Sequence, residues 1–182
     1  MELTAGKFRT RDLAYIGAMA ALMAVCSWIS IPTTIPFTLQ TLAVFLAVGL
    51  LGGKRGTLAI LGYLLLGLAG APVFSGFSGG PGALLTPSGG YLVGFLFTGL
   101  FLWAVEKVTA DKLWKLGMGM AVGAVIYYAF GTAWFMVVYP MGGEGVGLWT
   151  ALTWCVFPYV GFDALKIVLA LLLSVRLRPH VK

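Results

Sequence analysis

Residues 158–177, Pro158-Tyr159-Val160-Gly161-Phe162-Asp163-Ala164-Leu165-Lys166-Ile167-Val168-Leu169-Ala170-Leu171-Leu172-Leu173-Ser174-Val175-Arg176-Leu177, read as an apolar helix with an acid and a base in its first half. About 20 apolar residues make a helix that crosses a bilayer. A charge in hydrocarbon costs a few kcal/mol even on lenient scales, so it persists only with a partner and usually with a task. Asp163 and Lys166 stand at i,i+3 and share a helix face, where they can pair or grip one ligand together. Every other charged residue can sit at a helix end, in a loop or in a tail. Asp163 lies five residues in from Pro158, about 8 Å along the axis. The alternative task for the pair is a neutralised contact that fixes helix packing.

Composition agrees with a membrane fold. The 182 residues are 60% apolar and 10% charged, with a mean hydropathy of +0.98, where soluble domains are about 25% charged. Glycine supplies 26 residues, as expected where membrane helices approach closely. Six spans take about 120 residues and leave roughly 60 for loops and tails, so residues 1–182 form a single transmembrane domain. The expected fold is all-α: a compact six-helix transmembrane bundle with spans near 13–31, 39–51, 57–71, 90–105, 116–139 and 158–177. Between the last two, residues 148–157 read as a short re-entrant or surface helix, with Pro158 kinking or restarting the chain.

The charges orient it. Lys7, Arg9 and Arg11 precede span one; Lys54 and Arg55 lie between two and three; Lys107, Lys112 and Lys115 lie between four and five; Arg176, Arg178 and Lys182 end the chain. Connections 32–38 and 72–89 carry no charge, and 140–147 carries only Glu144. The positive-inside rule then places both termini in the cytoplasm of a multi-pass protein of the cytoplasmic membrane. This clustering at span ends also argues against nucleic acid as the partner of a chain with net charge +6. A secretory signal at the N-terminus, with Cys26 as a lipoprotein site, is disfavoured because Val25 is a poor residue before a cleavage point. Cys26 and Cys155 lack CxxC spacing and read as core filler.

Several chemistries are excluded. The lone histidine, His180, sits in the tail, so no His-based metal site or triad forms in the bundle. Gly52-Gly53-Lys54-Arg55-Gly56 lacks phosphate-loop spacing and reads as a basic turn. No catalytic residue, metal or cofactor is expected, and any ATP hydrolysis belongs to partner subunits.

Other candidates surround the charged pair. Residues 72–90 form a long uncharged segment rich in Gly, Ser and Pro, of the kind that often serves as a lid. Phe74 and Phe77 can cover an apolar ligand there, and Ser75, Ser78 and Ser88 can donate hydrogen bonds; a plain exposed linker is the other reading. Gln40 opens span two as a cap-region residue or a ligand contact. Tyr91 and Tyr159 fit an interfacial aromatic belt as well as a binding site. Span one carries Ala14, Gly17, Ala18 and Ala21 at i, i+3, i+4 and i+7, a small-residue face that another helix can approach, within the bundle or from a partner.

Together, Ile35-Pro36-Phe37-Thr38-Leu39-Gln40, Gly67-Leu68-Ala69-Gly70-Ala71-Pro72-Val73-Phe74, Thr86-Pro87-Ser88-Gly89-Gly90-Tyr91 and Phe157-Pro158 with Asp163-Ala164-Leu165-Lys166 resemble the BioY family. These are the biotin-specific substrate-binding (S) components of energy-coupling factor transporters, and the similarity runs from span one to span six. The resemblance implies high-affinity capture of biotin at the outer side. It also implies uptake driven by a module of a scaffold membrane (T) subunit and two cytoplasmic ATPase subunits. In S components an AxxxA face on the first helix meets the scaffold subunit, and Ala14-x-x-x-Ala18 matches it. Some members are thought to act without the module, so dependence on it stays open. Biotin offers an apolar bicycle, a neutral ureido group and a carboxylate tail. Asp163 can accept ureido N–H bonds while Lys166 donates to the ureido oxygen, or Lys166 can pair with the carboxylate; the first arrangement is slightly favoured. The competing reading is a self-sufficient proton-coupled carrier with Asp163 as its proton site.

Overall fold

The computed structural model describes residues 9–109, 112–139 and 145–181; Lys7, Pro140, Glu144 and Lys182 lie outside them. Helix α1 covers Thr10–Trp28 and runs into a two-stranded antiparallel hairpin, β1 (Ser30–Ile31) with β2 (Phe37–Thr38). Helices α2 (Gln40–Leu51) and α3 (Gly53–Leu68) follow, then two short 3₁₀ turns, Ser75–Phe77 and Pro81–Leu85. The rest comprises α4 (Gly89–Ala104), the four-residue α5 (Glu106–Thr109), α6 (Leu113–Val138), α7 (Leu148–Cys155) and α8 (Phe157–Val181).

The core forms around α2. Every residue of this helix except Leu42 is buried, as expected of a helix that is apolar on all sides. It packs against α1, α3, α4 and α8, while α4 packs mainly on α6 and α3. A single residue, Gly52 at φ 85°, links α2 to α3; that left-handed conformation suits glycine because it lacks a Cβ. Thr98 Oγ1 of α4 donates to the Gly123 carbonyl of α6 at 2.8 Å, a cross-helix bond typical of membrane bundles.

At the end of the bundle that carries the basic clusters, Asp12 is buried and pairs with Arg55 Nη2 at 3.2 Å. Arg178 Nε donates to the Gly49 carbonyl at 2.8 Å. Burial of Asp12 is not foreshadowed by its residue type or its neighbours. Its place in the first turn explains it, since its carboxylate also accepts the Arg9 backbone N–H at 3.1 Å, which satisfies one free donor at the helix start.

A helix lies over each of the six expected segments. Length and hydropathy alone mark only Leu113–Val138 as a spanning helix among the described residues, with α7 and α8 as a further pair bent by 44°. Helices α2 and α4 are apolar but shorter. The 12 residues of α2 extend about 18 Å, less than the roughly 30 Å of a hydrocarbon core. The sides of this helix are packed against α1, α3, α4 and α8. The break before α8 falls at Val156, and Pro158 occupies the first turn of α8, where its missing N–H costs nothing.

Candidate functional site

Helix α8 carries the centre of the site. Asp163 and Lys166 are each 5% exposed, and Lys166 Nζ lies 2.8 Å from Asp163 Oδ1. Thr41 of α2 donates to the same oxygen at 2.9 Å. The adjacent phenols of α6, Tyr127 and Tyr128, both donate to Asp163 Oδ2 at 2.5 Å. A carboxylate offers about four lone-pair sites, so these four donors saturate it. Lys166 donates further to the Thr38 carbonyl at 2.7 Å, and its ammonium sits 4.4 Å from the centre of the Phe37 ring. An ammonium has three N–H bonds. Two are used among the described residues, and the third is left for the Phe37 face or for a ligand.

This network forms one wall of a cavity of about 320 Å³, at the lower end of the range for small-molecule pockets. Three further segments line it: the hairpin, the 74–88 segment and the Cys155 turn. The hairpin is bolted to α8. Tyr159 donates to the Ile35 carbonyl at 2.5 Å, its oxygen lies 3.0 Å from Thr33 Oγ1, and its ring stacks on Phe37. Thr33 Oγ1 also donates to the Ile35 carbonyl.

The 74–88 segment is held at both ends. Phe74, 2% exposed, rests where Gly67 has no side chain; a Cβ there would collide with the ring. Ser27 Oγ donates to the Val73 carbonyl at 2.6 Å, as does Tyr63 at 3.0 Å. At the other end Thr86 Oγ1 donates to the Ala83 carbonyl at 2.7 Å and meets Ser88 Oγ at 3.1 Å, while Trp134 Nε1 donates to the Thr86 carbonyl at 3.2 Å. Tyr91 is seated on α6 in the same manner, its ring occupying the space that a Gly131 Cβ would need.

All eight residues singled out as ligand contacts line the cavity: Gln40, Phe74, Ser75, Ser88, Tyr91, Tyr159, Asp163 and Lys166. Several have structural work as well. Gln40 Nε2 donates to the Tyr63 hydroxyl at 3.0 Å, and the Tyr91 hydroxyl reaches the Cys155 carbonyl at 3.4 Å. Ser78 also lines the cavity, but Phe77 does not; it is 64% exposed and stacks on Trp28 at 5.1 Å. Sequence reasoning misses Thr41, Tyr127 and Tyr128. Two consecutive phenols inside an apolar span are the available signal, because a buried Tyr hydroxyl needs a partner and Asp163 is the strongest acceptor at that depth. The face of Ala14, Gly17, Ala18 and Ala21 is exposed, and a Cβ on Gly17 would meet nothing within 4 Å. Among the described residues, no helix covers it.

The family model described as "BioY family" matches residues 2–182. A "Biotin transporter BioY" of Thermotoga maritima is 39% identical over 169 residues, 92% of this chain and 96% of that protein. Another, from Rhodobacter capsulatus, is 34% identical and covers 87% of this chain and 88% of its own length. A solved structure, the S-component for biotin from an ECF-type ABC transporter, superposes with a TM-score of 0.83 at 27% identity, covering 93% of this chain and 91% of the other.

Proposed function

Because the chain belongs to the BioY family of biotin transporters, as the S component of an ECF-type ABC transporter and not an enzyme, we propose that the 320 Å³ cavity is where it captures biotin. The observation that carries this is the Asp163–Lys166 pair, buried at 2.8 Å with a cavity against it. Residues 1–182 form one transmembrane domain of six spans in the cytoplasmic membrane. Both termini face the cytoplasm, in keeping with the basic clusters at one end, and the cavity then opens outward.

The ureido group lies against Lys166 in this reading. An ion pair with no net charge suits a neutral ligand group, whereas a carboxylate would require a cation not already neutralised. The third N–H of Lys166 donates to the ureido oxygen, a charge-assisted bond stronger than a neutral one. Asp163 is the holder of Lys166; a ureido N–H reaches it only by displacing one of its hydroxyl donors, and half-buried Tyr128 is the most accessible. Tyr91 and Phe74 flank the bicycle. Ser75, Ser88 and the neighbouring hydroxyls receive the carboxylate tail, with Gln40 and Tyr159 completing the wall. The proton-coupled carrier is the weaker reading, because a proton arriving at Asp163 would also have to displace a donor.

Equilibrium binding of labelled biotin to the purified lone protein tests the assignment. Nanomolar affinity is expected, with biotin methyl ester losing less than about tenfold, or 1.4 kcal/mol, since the ester keeps the ureido group. A larger loss on esterification that disappears in the Lys166→Met variant would place the carboxylate on Lys166. No binding to folded protein would refute biotin capture.

The partners proposed are a T subunit and two ATPase subunits, with Ala14 and Ala18 as the scaffold contact and Gly17 and Ala21 extending it. Leucine at positions 14 and 18 is expected to leave biotin affinity unchanged and to abolish co-purification with the coexpressed module. Intact co-purification would move the interface elsewhere.

A further inference from the structure

A second cavity, of about 560 Å³, lies behind the first, between α6, α7 and α8. Its lining is almost wholly apolar: Ala121, Ala129 and Ala133 of α6 face Leu152, Val160 and Ala164 across the gap. The three alanines fall at intervals of four or eight residues and so share a helix face. Small residues at that spacing normally let a second helix come close. Here the 44° bend between α7 and α8 accompanies an open cleft instead. Protein interiors hold few voids larger than a water molecule, and an apolar cavity of about 150 Å³ already takes up a hydrocarbon. The cleft is not sealed, since Val125 and Val160 on its rim are 66% and 46% exposed.

We propose that this cleft is a binding site for one acyl chain of a membrane phospholipid. The inference rests on the reading of the chain as an integral membrane transporter component, because acyl chains then surround the rim. A hydrocarbon chain has no polar group to satisfy, and the lining of this cleft supplies the apolar surroundings that it needs. Tyr128 and Asp163 line both cavities. An acyl chain in the cleft therefore packs behind the wall that holds Lys166, keeps water from Asp163 and presses Tyr128 onto it. Ligand affinity becomes dependent on a bound lipid that never touches the ligand.

The test uses the full chain in nanodiscs of phosphatidylcholine that carries a photoreactive diazirine on one acyl chain. After photolysis, peptides covering Ala121–Met136 and Val156–Ile167 are expected to carry several-fold more label per exposed residue than Leu172 or Val175, which lie exposed on α8. Ala133→Trp, which fills the cleft, should remove that excess. Label no denser in the cleft than on the exposed faces would overturn the proposal. If Ala133→Trp does not fold, Val125→Trp at the rim is used, and undiminished labelling in a folded variant counts equally against the site. Biotin binding is measured in the same nanodiscs and after stripping with delipidating detergent. A several-fold loss on stripping, restored by added phosphatidylcholine, is expected; an affinity indifferent to lipid would overturn the coupling. Cleft labelling without any biotin binding would leave this site standing and remove the proposed ligand, so the two failures are distinguishable.

Discussion

Replacing Asp163 by Asn is expected to weaken biotin binding by on the order of 30–150-fold, about 2–3 kcal/mol. The carboxylate receives Thr41, Tyr127, Tyr128 and Lys166, and an amide is nearly its equal in shape. What changes is charge and polarity. The amide nitrogen turns a donor toward groups that were donating, and Lys166 keeps its charge in the bundle without a counterion. Removing one member of a buried pair is costly because the other is left uncompensated. Lys166 then swings toward another acceptor and no longer presents its third N–H to the cavity. Isothermal titration or filter binding reads the effect; an Asp163→Asn variant that binds as tightly as the parent would show that the saturated carboxylate does nothing for the ligand.

Replacing Lys166 by Met should cost more, roughly 100–1000-fold or about 3–4 kcal/mol. Methionine is flexible enough to fill the space, so the loss isolates the ammonium. Three of its contacts disappear together: the bond to Asp163, the bond to the Thr38 carbonyl and the position over Phe37. The donor proposed for the ureido oxygen goes with them. Asp163 keeps three hydroxyl donors but becomes a net negative charge beside the ligand. The double variant decides between a binding unit and two independent contributions, since residues of one network couple by about 0.5–3 kcal/mol. With both charges gone the bundle no longer carries an unpaired ion, so the double variant should bind no worse than Lys166→Met and should melt above either single variant. Strictly additive losses would mean that the two residues act separately.

How much of this is legible in the sequence depends on the kind of signal. Asp163 and Lys166 stand out because an ion in an apolar run has few explanations, and their separation by one helical turn is fixed by geometry. The 72–90 segment stands out for its lack of helical periodicity, as a lid or a plain linker alike, although its anchoring does not. Gly67 accepting the Phe74 ring is a relation between residues that neither residue type announces. Tyr127 and Tyr128 escape notice because phenols in a span look like packing until an acceptor is known to face them. The hairpin at 30–38 is hidden for another reason. Each strand is two residues long, too short for any alternation, and it is held by Tyr159, far away along the chain. The lateral cleft has no sequence signature, because it comes from an angle between helices.

The bolt between Tyr159 and the hairpin has a consequence in time. Tyr159 and Asp163 are one turn apart on α8, so the fastening of the hairpin and the carboxylate that holds Lys166 belong to one stiff rod. Binding that steadies the rod also steadies the fastening, and tightness then appears mainly as slow departure, which is where most affinity differences between related complexes reside. Slow departure would let captured biotin outlast many collisions with the partner subunits proposed above. On this reading the protein is a reservoir that holds its cargo until those subunits arrive.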